Sequence, residues 1–395
     1  MIIANHYNAD HATSLRSYHP LNRSASTWNT ALFSELRKLD LELHIVSFYP
    51  VHQTQIIRDD NITYYYLPRV PKVDGFTSFV KRIRSLRLAR RIRPDLIHGI
   101  GSEHGYAYAA VNDRCPSVVT IHGYLRMIGR LSGHRSLLRE LFLRPEERRA
   151  LLRATMVIAI NGYMKEQFIG EGCDTRKVEV VPNAINPLFL SCMPDAERDI
   201  DILMVGTLQP LKNQHVAMEI LARLKQDFGN RPRVLIAGAP TRESMRYYEK
   251  LLALRQREGL GNVEFVGRLG PQDLKALYLR SRFLLHISEF EADPTVIAEA
   301  LACAVCPIVN PVAGMAHRVT DGVNGYHIDI ANIPKAAALL NLILDNNPAA
   351  RRLADTGRTA ILEERTPGNI ARRTFDVYRS ARSRFSICDR NSGRT

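Results

Sequence analysis

Short apolar runs alternate with longer amphipathic stretches along this chain, a rhythm that predicts strands separated by helices. Ile2 to Ala4 and Leu43 to Phe48 read as buried strands on either side of a helix from Ser26 to Leu39. Ile62 to Leu67, Leu96 to Ile100, Pro116 to Ile121, Met156 to Asn161 and Val178 to Val181 continue the series. Beyond a polar, proline-containing segment the pattern starts again, with strands at Ile200 to Val205, Arg233 to Ala237, Val263 to Val266, Phe283 to Ile287 and Cys306 to Val309. Helices are expected between them, around 214–228, 241–257, 271–280 and 294–303. Repetition of this kind builds parallel sheets flanked by helices. The expected fold class is therefore α/β, as two Rossmann-like units in series. They span 1–190 and 200–365, joined by a linker at 191–199. A C-terminal helix at 366–385, with the option of crossing back to the first unit, and a basic tail at 386–395 complete the chain.

Charge adds a partner class. The 395 residues carry 54 Lys and Arg against 40 Asp and Glu, and residues 1–190 hold 26 of the basic and 17 of the acidic ones. A basic N-terminal half favours an anionic substrate, membrane surface or nucleic acid. In Phe79 to Arg93 the apolar positions 79, 83, 86 and 92 suit one helix face. Lys81, Arg82, Arg84, Arg87, Arg90, Arg91 and Arg93 make up the rest, with no acid among them. That reads as a solvated helix face, or as one that touches an anionic membrane. Aromatic residues do not interleave with the arginines as in a base-stacking platform, so specific nucleic-acid binding is not expected. Leu125 to Arg153 reads as one or two further amphipathic helices, and Tyr7 to Arg23 as a polar loop, either catalytic or disordered. No apolar run of about 18 residues could span a bilayer, and the N-terminus lacks the features of a signal peptide. A cytoplasmic protein with reduced thiols is expected from this and from the six scattered cysteines, the Cys303-x-x-Cys306 pair being read as small core residues.

Chemistry concentrates in Ser288 to Ala302, SEFEADPTVIAEALA. Asp293 reads as an N-cap and Pro294 as the first helical residue. A helix N-terminus seats phosphate well, and here Glu291 and Glu299 stand on either side of it. A nucleotide sugar has the matching layout, with sugar hydroxyls at one end, diphosphate in the middle and ribose hydroxyls at the other. The turn after Val205 offers Gly206 and Lys212 as a second phosphate seat. A Walker-type loop is absent. Asp199-Ile200-Asp201 has the spacing of a metal-binding Asp-x-Asp but opens a buried strand, so a polar strand entry is expected and no metal. His122 stands at the carboxyl end of its strand, where open parallel sheets bind ligands.

These pieces resemble the retaining glycosyltransferases of family 4, which have the GT-B fold of two Rossmann-like domains facing across a cleft. The resemblance rests on Gly206 with Lys212 six residues on, on Glu291 and Glu299, on Asp321-Gly322-Val323-Asn324-Gly325-Tyr326, on His122-Gly123 and on Pro182-Asn183-Ala184-Ile185-Asn186. It implies that Lys212, with the helix start at Thr295 and Val296, binds the donor diphosphate, and that Glu299 holds the ribose hydroxyls. Glu291 and His122 would contact the donor sugar as the catalytic pair, and the backbone around Val266 and Arg268 would line the base pocket. Thr207 stands where the family usually has Arg, so Gly206 and Thr207 would meet the donor with one cation fewer. The resemblance implies a metal-independent transferase that moves a sugar from a nucleotide-diphosphate sugar to a saccharide or lipid-linked saccharide in cell-surface polysaccharide synthesis, beside the inner face of the membrane. The rivals are a nucleotide-sugar epimerase or a phosphorylase on the same fold, and a non-catalytic scaffold that binds an anionic membrane.

Overall fold

Branched apolar side chains fill the strands of two separate sheets. The computed structural model describes residues 1–4, 6, 11, 27–70, 76–102, 105–112, 114–123, 144–192 and 197–392. The chain divides into two units, one made of 1–184 and 367–395, the other of 185–366.

The first unit holds β1 (Ile2–Ile3), α1 (Thr27–Leu36), β2 (Leu43–Tyr49), β3 (Gln55–Asp59), β4 (Ile62–Pro68), α2 (Phe76–Ile92) and β5 (Ile97–Ile100). It continues with α3 (Tyr106–Ala110), β6 (Ser117–Ile121), α4 (Arg144–Arg153), β7 (Met156–Ala159), α5 (Gly162–Gly170) and β8 (Val178–Val180). The sheet order is β3-β4-β2-β1-β5-β6-β7-β8, parallel except for the antiparallel edge strand β3. Only two residues long, β1 sits at the centre with both isoleucines buried, and it pairs with β2 and β5. On α2 and just after it the arginines at 84, 87, 90, 91 and 93 are exposed as a solvated basic face requires, while the places expected for Lys81 and Phe79 are corrected. Ser78, Lys81, Ser85 and Ala89 face inward, while Phe79 is 53% exposed. Small side chains on this face let α2 approach α3 closely, and Ser78 leaves no room for a Cβ at Gly105. Lys81 is buried with its ammonium 4.5 Å from the Tyr106 ring centroid, and burial lowers its pKa to about 8. Apart from His11, the polar loop expected at Tyr7 to Arg23 lies outside the described residues, as does most of Leu125 to Arg153.

In the second unit α6 (Pro187–Leu190) precedes β9 (Ile200–Val205), α7 (Gln214–Phe228), β10 (Val234–Ala237), α8 (Met245–Arg257), β11 (Val263–Gly267), α9 (Pro271–Arg280) and β12 (Ser281–His286). It ends with α10 (Thr295–Ala302), β13 (Cys306–Val309), α11 (Gly314–Arg318), β14 (Tyr326–His327), α12 (Ile333–Asp345) and α13 (Asn347–Glu364). All six strands are parallel, in the order β11-β10-β9-β12-β13-β14. The boundary falls before the linker expected at 191–199. Ile185 and Phe189 are buried in this unit's core, and Phe189 packs edge-on against Tyr278. Cys192 and Cys303 form a disulfide, which corrects the expectation of reduced thiols throughout, and Cys306 is a buried free cysteine. Two cysteines 111 residues apart carry no spacing signal.

The last helix, α14 (Pro367–Ser392), belongs to the first unit and packs on α1, β6 and β7. His98 is fully buried between β5 and this helix. Its Nδ1 lies 2.8 Å from the Tyr378 hydroxyl and its Nε2 2.7 Å from Thr120 Oγ1. Burial lowers its pKa to about 3, so the ring is neutral at physiological pH.

Candidate active site

Strands β9 and β12 lie side by side in the second unit, and at their carboxyl ends the chain turns out of the sheet. Gly206 follows β9 with φ 155°, and Gly238 beside it must be glycine, because a Cβ there would stand 1.8 Å from the Gly206 carbonyl oxygen. From Gly206 the chain runs through a 3-10 turn, Pro210–Lys212, into α7. This loop is tied to the one after β12. Asn213 Nδ2 donates to the Ile287 carbonyl at 3.1 Å, and the Glu289 amide donates to the Leu211 carbonyl at 2.9 Å. Lys212 and Glu291, from the two loops, form a half-buried ion pair. Ser288 Oγ donates to the same Glu291 oxygen at 3.2 Å, and His286 Nε2 lies 3.4 Å from it. Behind Glu291, the Gly314 amide donates to its carbonyl at 2.9 Å, so the glutamate is held at backbone and side chain alike.

Burial alone would push the Glu291 carboxyl up. The His286 hydrogen bond and the Lys212 ammonium outweigh it and hold the group at about 2. His286 is fully enclosed, and burial lowers its pKa although Glu291 pulls the other way. Sequence reasoning missed His286, whose signal is the one that marked His122: a histidine ending an otherwise apolar strand.

The helix start differs from expectation. Asp293 does not cap α10; its enclosed carboxylate accepts from Arg365 at 2.8 Å and from Arg318 at 3.1 Å. Two guanidiniums make stronger, charge-assisted partners than a backbone amide. Pro294 takes the cap position instead, the helix begins at Thr295, and no side chain caps it. The first-turn N–H groups near Thr295 and Val296 are therefore not taken by a capping side chain.

Glu299 lies further along α10 and accepts from the Tyr278 hydroxyl at 3.2 Å, away from the Lys212 cluster. Burial raises its pKa to about 7, with the Tyr278 bond opposing. Thr207 is half-buried, and its carbonyl accepts from Gln214 at 3.0 Å. Val266 packs partly against the core through β11, while Arg268 is exposed just beyond it. Of the expected donor residues the structure thus unites Gly206, Lys212 and Glu291, and it gives Glu299 a separate partner. Asp199 is paired with Arg233 and Arg280, and Asp201 with Arg282, as a polar strand entry requires. Among the described residues no group of three His, Cys, Asp or Glu side chains could hold a metal ion.

In the first unit His122 follows β6. Its ring centroid is 4.2 Å from that of Trp28, and Nε2 donates to Asn183 Oδ1 at 3.0 Å. Asn183, expected as part of the Pro-Asn segment, orients the ring.

Residues 194–360 match the family of glycosyl transferases group 1, and residues 25–188 match glycosyltransferase family 4. A D-inositol 3-phosphate glycosyltransferase of Mycobacterium sp. (strain KMS) is 28% identical over 158 residues, 40% of this chain and 35% of that protein. The chain thus spans about a third of the length of that relative. The glycogen synthase of Mycobacterium tuberculosis (strain CDC 1551 / Oshkosh) is 25% identical over 310 residues, 76% of this chain and 72% of that protein. Among solved structures, Anabaena Alr3699/HepE in complex with UDP has TM-score 0.71 at 16% identity, with 96% of this chain and 99% of that one covered. The likeness in structure, two parallel-sheet domains of the GT-B type, extends over nearly the whole chain.

Proposed function

The chain belongs to the group 1 glycosyl transferases, and from that premise we propose that it is a retaining glycosyltransferase that takes a sugar from a nucleotide-diphosphate sugar without a metal ion. The observation that carries this reading is the Lys212–Glu291 pair at the carboxyl ends of β9 and β12, inside the stretch that matches the family. A bound diphosphate takes Lys212 as its counter-ion, with the uncapped start of α10 as a second source of positive charge. Glu291, freed from Lys212 but still held by Ser288 and His286, then turns to the sugar hydroxyls. In the reaction the bond from the sugar C1 to the diphosphate oxygen breaks and its electron pair leaves with the phosphate. The acceptor hydroxyl oxygen forms the new bond to C1 and its proton passes to the departing phosphate oxygen. Preorganised positive charge where the leaving group develops its own charge lowers that barrier. Glu299 accepts from the ribose hydroxyls in its ionised form.

The relatives and neighbours support the donor class. HepE was solved with UDP and with UDP-glucose, and the curated relatives are named for glycosyl transfer. The acceptor we propose is a saccharide or lipid-linked saccharide of the cell surface, met in the cytoplasm beside the membrane. The basic balance of the first 190 residues favours such an anionic surface.

The test is incubation with uridine, guanosine and adenosine diphosphate sugars, alone and with a hydroxyl acceptor pool. Release of nucleoside diphosphate that depends on acceptor, with the anomeric configuration kept in the product, is expected. An isomerised donor formed without acceptor would replace this reading by an epimerase.

A further inference from the structure

A second basic cluster has no part in that chemistry. At the amino ends of β5 and β6 a cavity of about 650 Å³ is lined by Arg82, Arg90, Arg93 and Arg114, with Leu86 and Ile97 as apolar walls. Three elements converge there: α2, the turn into β5, and the loop before β6. No described lining residue is acidic, and among the described residues Arg90, Arg93 and Arg114 make no ion pair. Of the nearby acids, Asp95 is mostly exposed and 3.6 Å from Arg382, and Glu146 is hydrogen-bonded to Ser78 with its attraction to Arg82 the smallest of its interactions.

Arg82 Nε is buried without a hydrogen-bond partner, although the guanidinium stacks 4.8 Å from the Tyr108 ring centroid. Leaving such a donor unmet is unfavourable, and neighbouring guanidiniums also repel one another. An anion in the cavity relieves both. The C-terminal dipole of α2 accounts for Arg90 in its last turn, but not for Arg114, which comes from another element. His122 stands at the other end of β6, roughly 15 Å away along a five-residue strand.

We propose that this cavity is a binding site for a ligand with at least two phosphate-type oxyanions on an apolar body. Guanidinium forks grip such oxyanions in pairs, and Leu86, Ala89 and Ile97 receive the body. A soluble phosphorylated metabolite and a phospholipid headgroup share this chemistry. The proposal is independent of the donor site, since every lining residue belongs to the first unit.

Cys115 lines the same cavity as a half-buried free thiol, whereas Cys173 and Cys306 are buried, so its alkylation reports occupancy directly. Because burial raises the Cys115 pKa above the ordinary thiol range, the full-length protein is treated with iodoacetamide at about pH 10, where more of the reactive thiolate forms, and the Cys115 peptide is followed by mass spectrometry. Inorganic pyrophosphate is expected to slow the reaction in the wild type and in Lys212→Ala alike. In Arg90→Ala/Arg114→Ala the pyrophosphate needed for protection rises about 100-fold, the loss of two charge-assisted contacts. The variant Arg87→Ala/Arg91→Ala, with the same change in charge outside the cavity, keeps wild-type protection. Protection by cardiolipin vesicles, whose headgroup carries two phosphates, and not by phosphatidylcholine vesicles assigns a lipid headgroup; protection by pyrophosphate alone assigns a soluble ligand. If neither protects, or if the control variant loses protection equally, the proposal is overturned. Failure of the donor reading would appear separately, as absence of sugar transfer with Cys115 protection intact.

Discussion

Glu291 and Glu299 are seven positions apart, and their surroundings drive them in opposite directions. A neighbouring ammonium and a histidine hold Glu291 near 2, while burial beside a tyrosine lifts Glu299 to about 7. For Glu299 the folded state binds its proton more tightly than the unfolded chain, whose value is near 4.5. That contribution to stability is full below pH 4.5 and is lost as pH rises toward 7, in total about 3 kcal/mol. Glu299→Gln removes this loss. Denaturant titrations should therefore show the variant gaining on the wild type between pH 5 and about pH 8, and a constant difference across that range would contradict the assignment. Donor binding runs the other way. If ribose hydroxyls need the ionised carboxylate, wild-type affinity for a nucleoside diphosphate rises as pH passes upward through 7, and calorimetry at pH 6 and about pH 8 checks it. The sequence showed both carboxylates, yet it could not show their partners. Lys212 is 79 residues from Glu291 and Tyr278 is 21 from Glu299, and only the fold brings each near.

At the scale of elements, the placement of α10 depends on Asp293. Its bonds to Arg318 and Arg365 fix the start of the helix, and Arg365 is 1% exposed. Asp293→Ala leaves that guanidinium buried without its counter-charge, so a loss of about 3–5 kcal/mol is expected in chemical denaturation. A loss below about 1 kcal/mol would mean that the helix start is held by something else. The capping pattern was legible and misleading, because Asp followed by Pro is a good local signal that a long-range ion pair overrides. In α2 the apolar positions marked the buried face only in part, Ile92 packing on the core and Phe79 exposed, since packing against α3 selects small side chains and tolerates Lys81 over aromatic rings. Strand β3 went unread because its residues alternate between half-buried and exposed, as suits an edge. Its hairpin turn, with Asp60 at φ 54°, leaves only the Asp60-Asn61 pair as a sequence signal.

For the molecule as a whole, the two sheets could be read from the strand rhythm, since parallel strands buried on both faces are nearly continuous apolar runs. The return of the last helix to unit one stood in the sequence only as an option for residues 366–385, because its partners are far away along the chain. Unit one reclaims α14 through contacts such as Tyr378 with His98, which are 280 residues apart in sequence. Tyr378→Phe keeps the packing and leaves His98 Nδ1 unmet, so a cost of about 1–3 kcal/mol is expected by thermal or denaturant unfolding. A neutral result would show that the hydroxyl does not tie the helix down. The central claim is that Lys212 grips the diphosphate of the donor. It is tested most directly by calorimetric titration of the wild type and Lys212→Ala with the preferred nucleoside diphosphate and with the bare nucleoside. The account predicts that the diphosphate's advantage over the nucleoside shrinks about 10- to 100-fold in the variant while nucleoside affinity stays the same. An equal advantage in both proteins would contradict it.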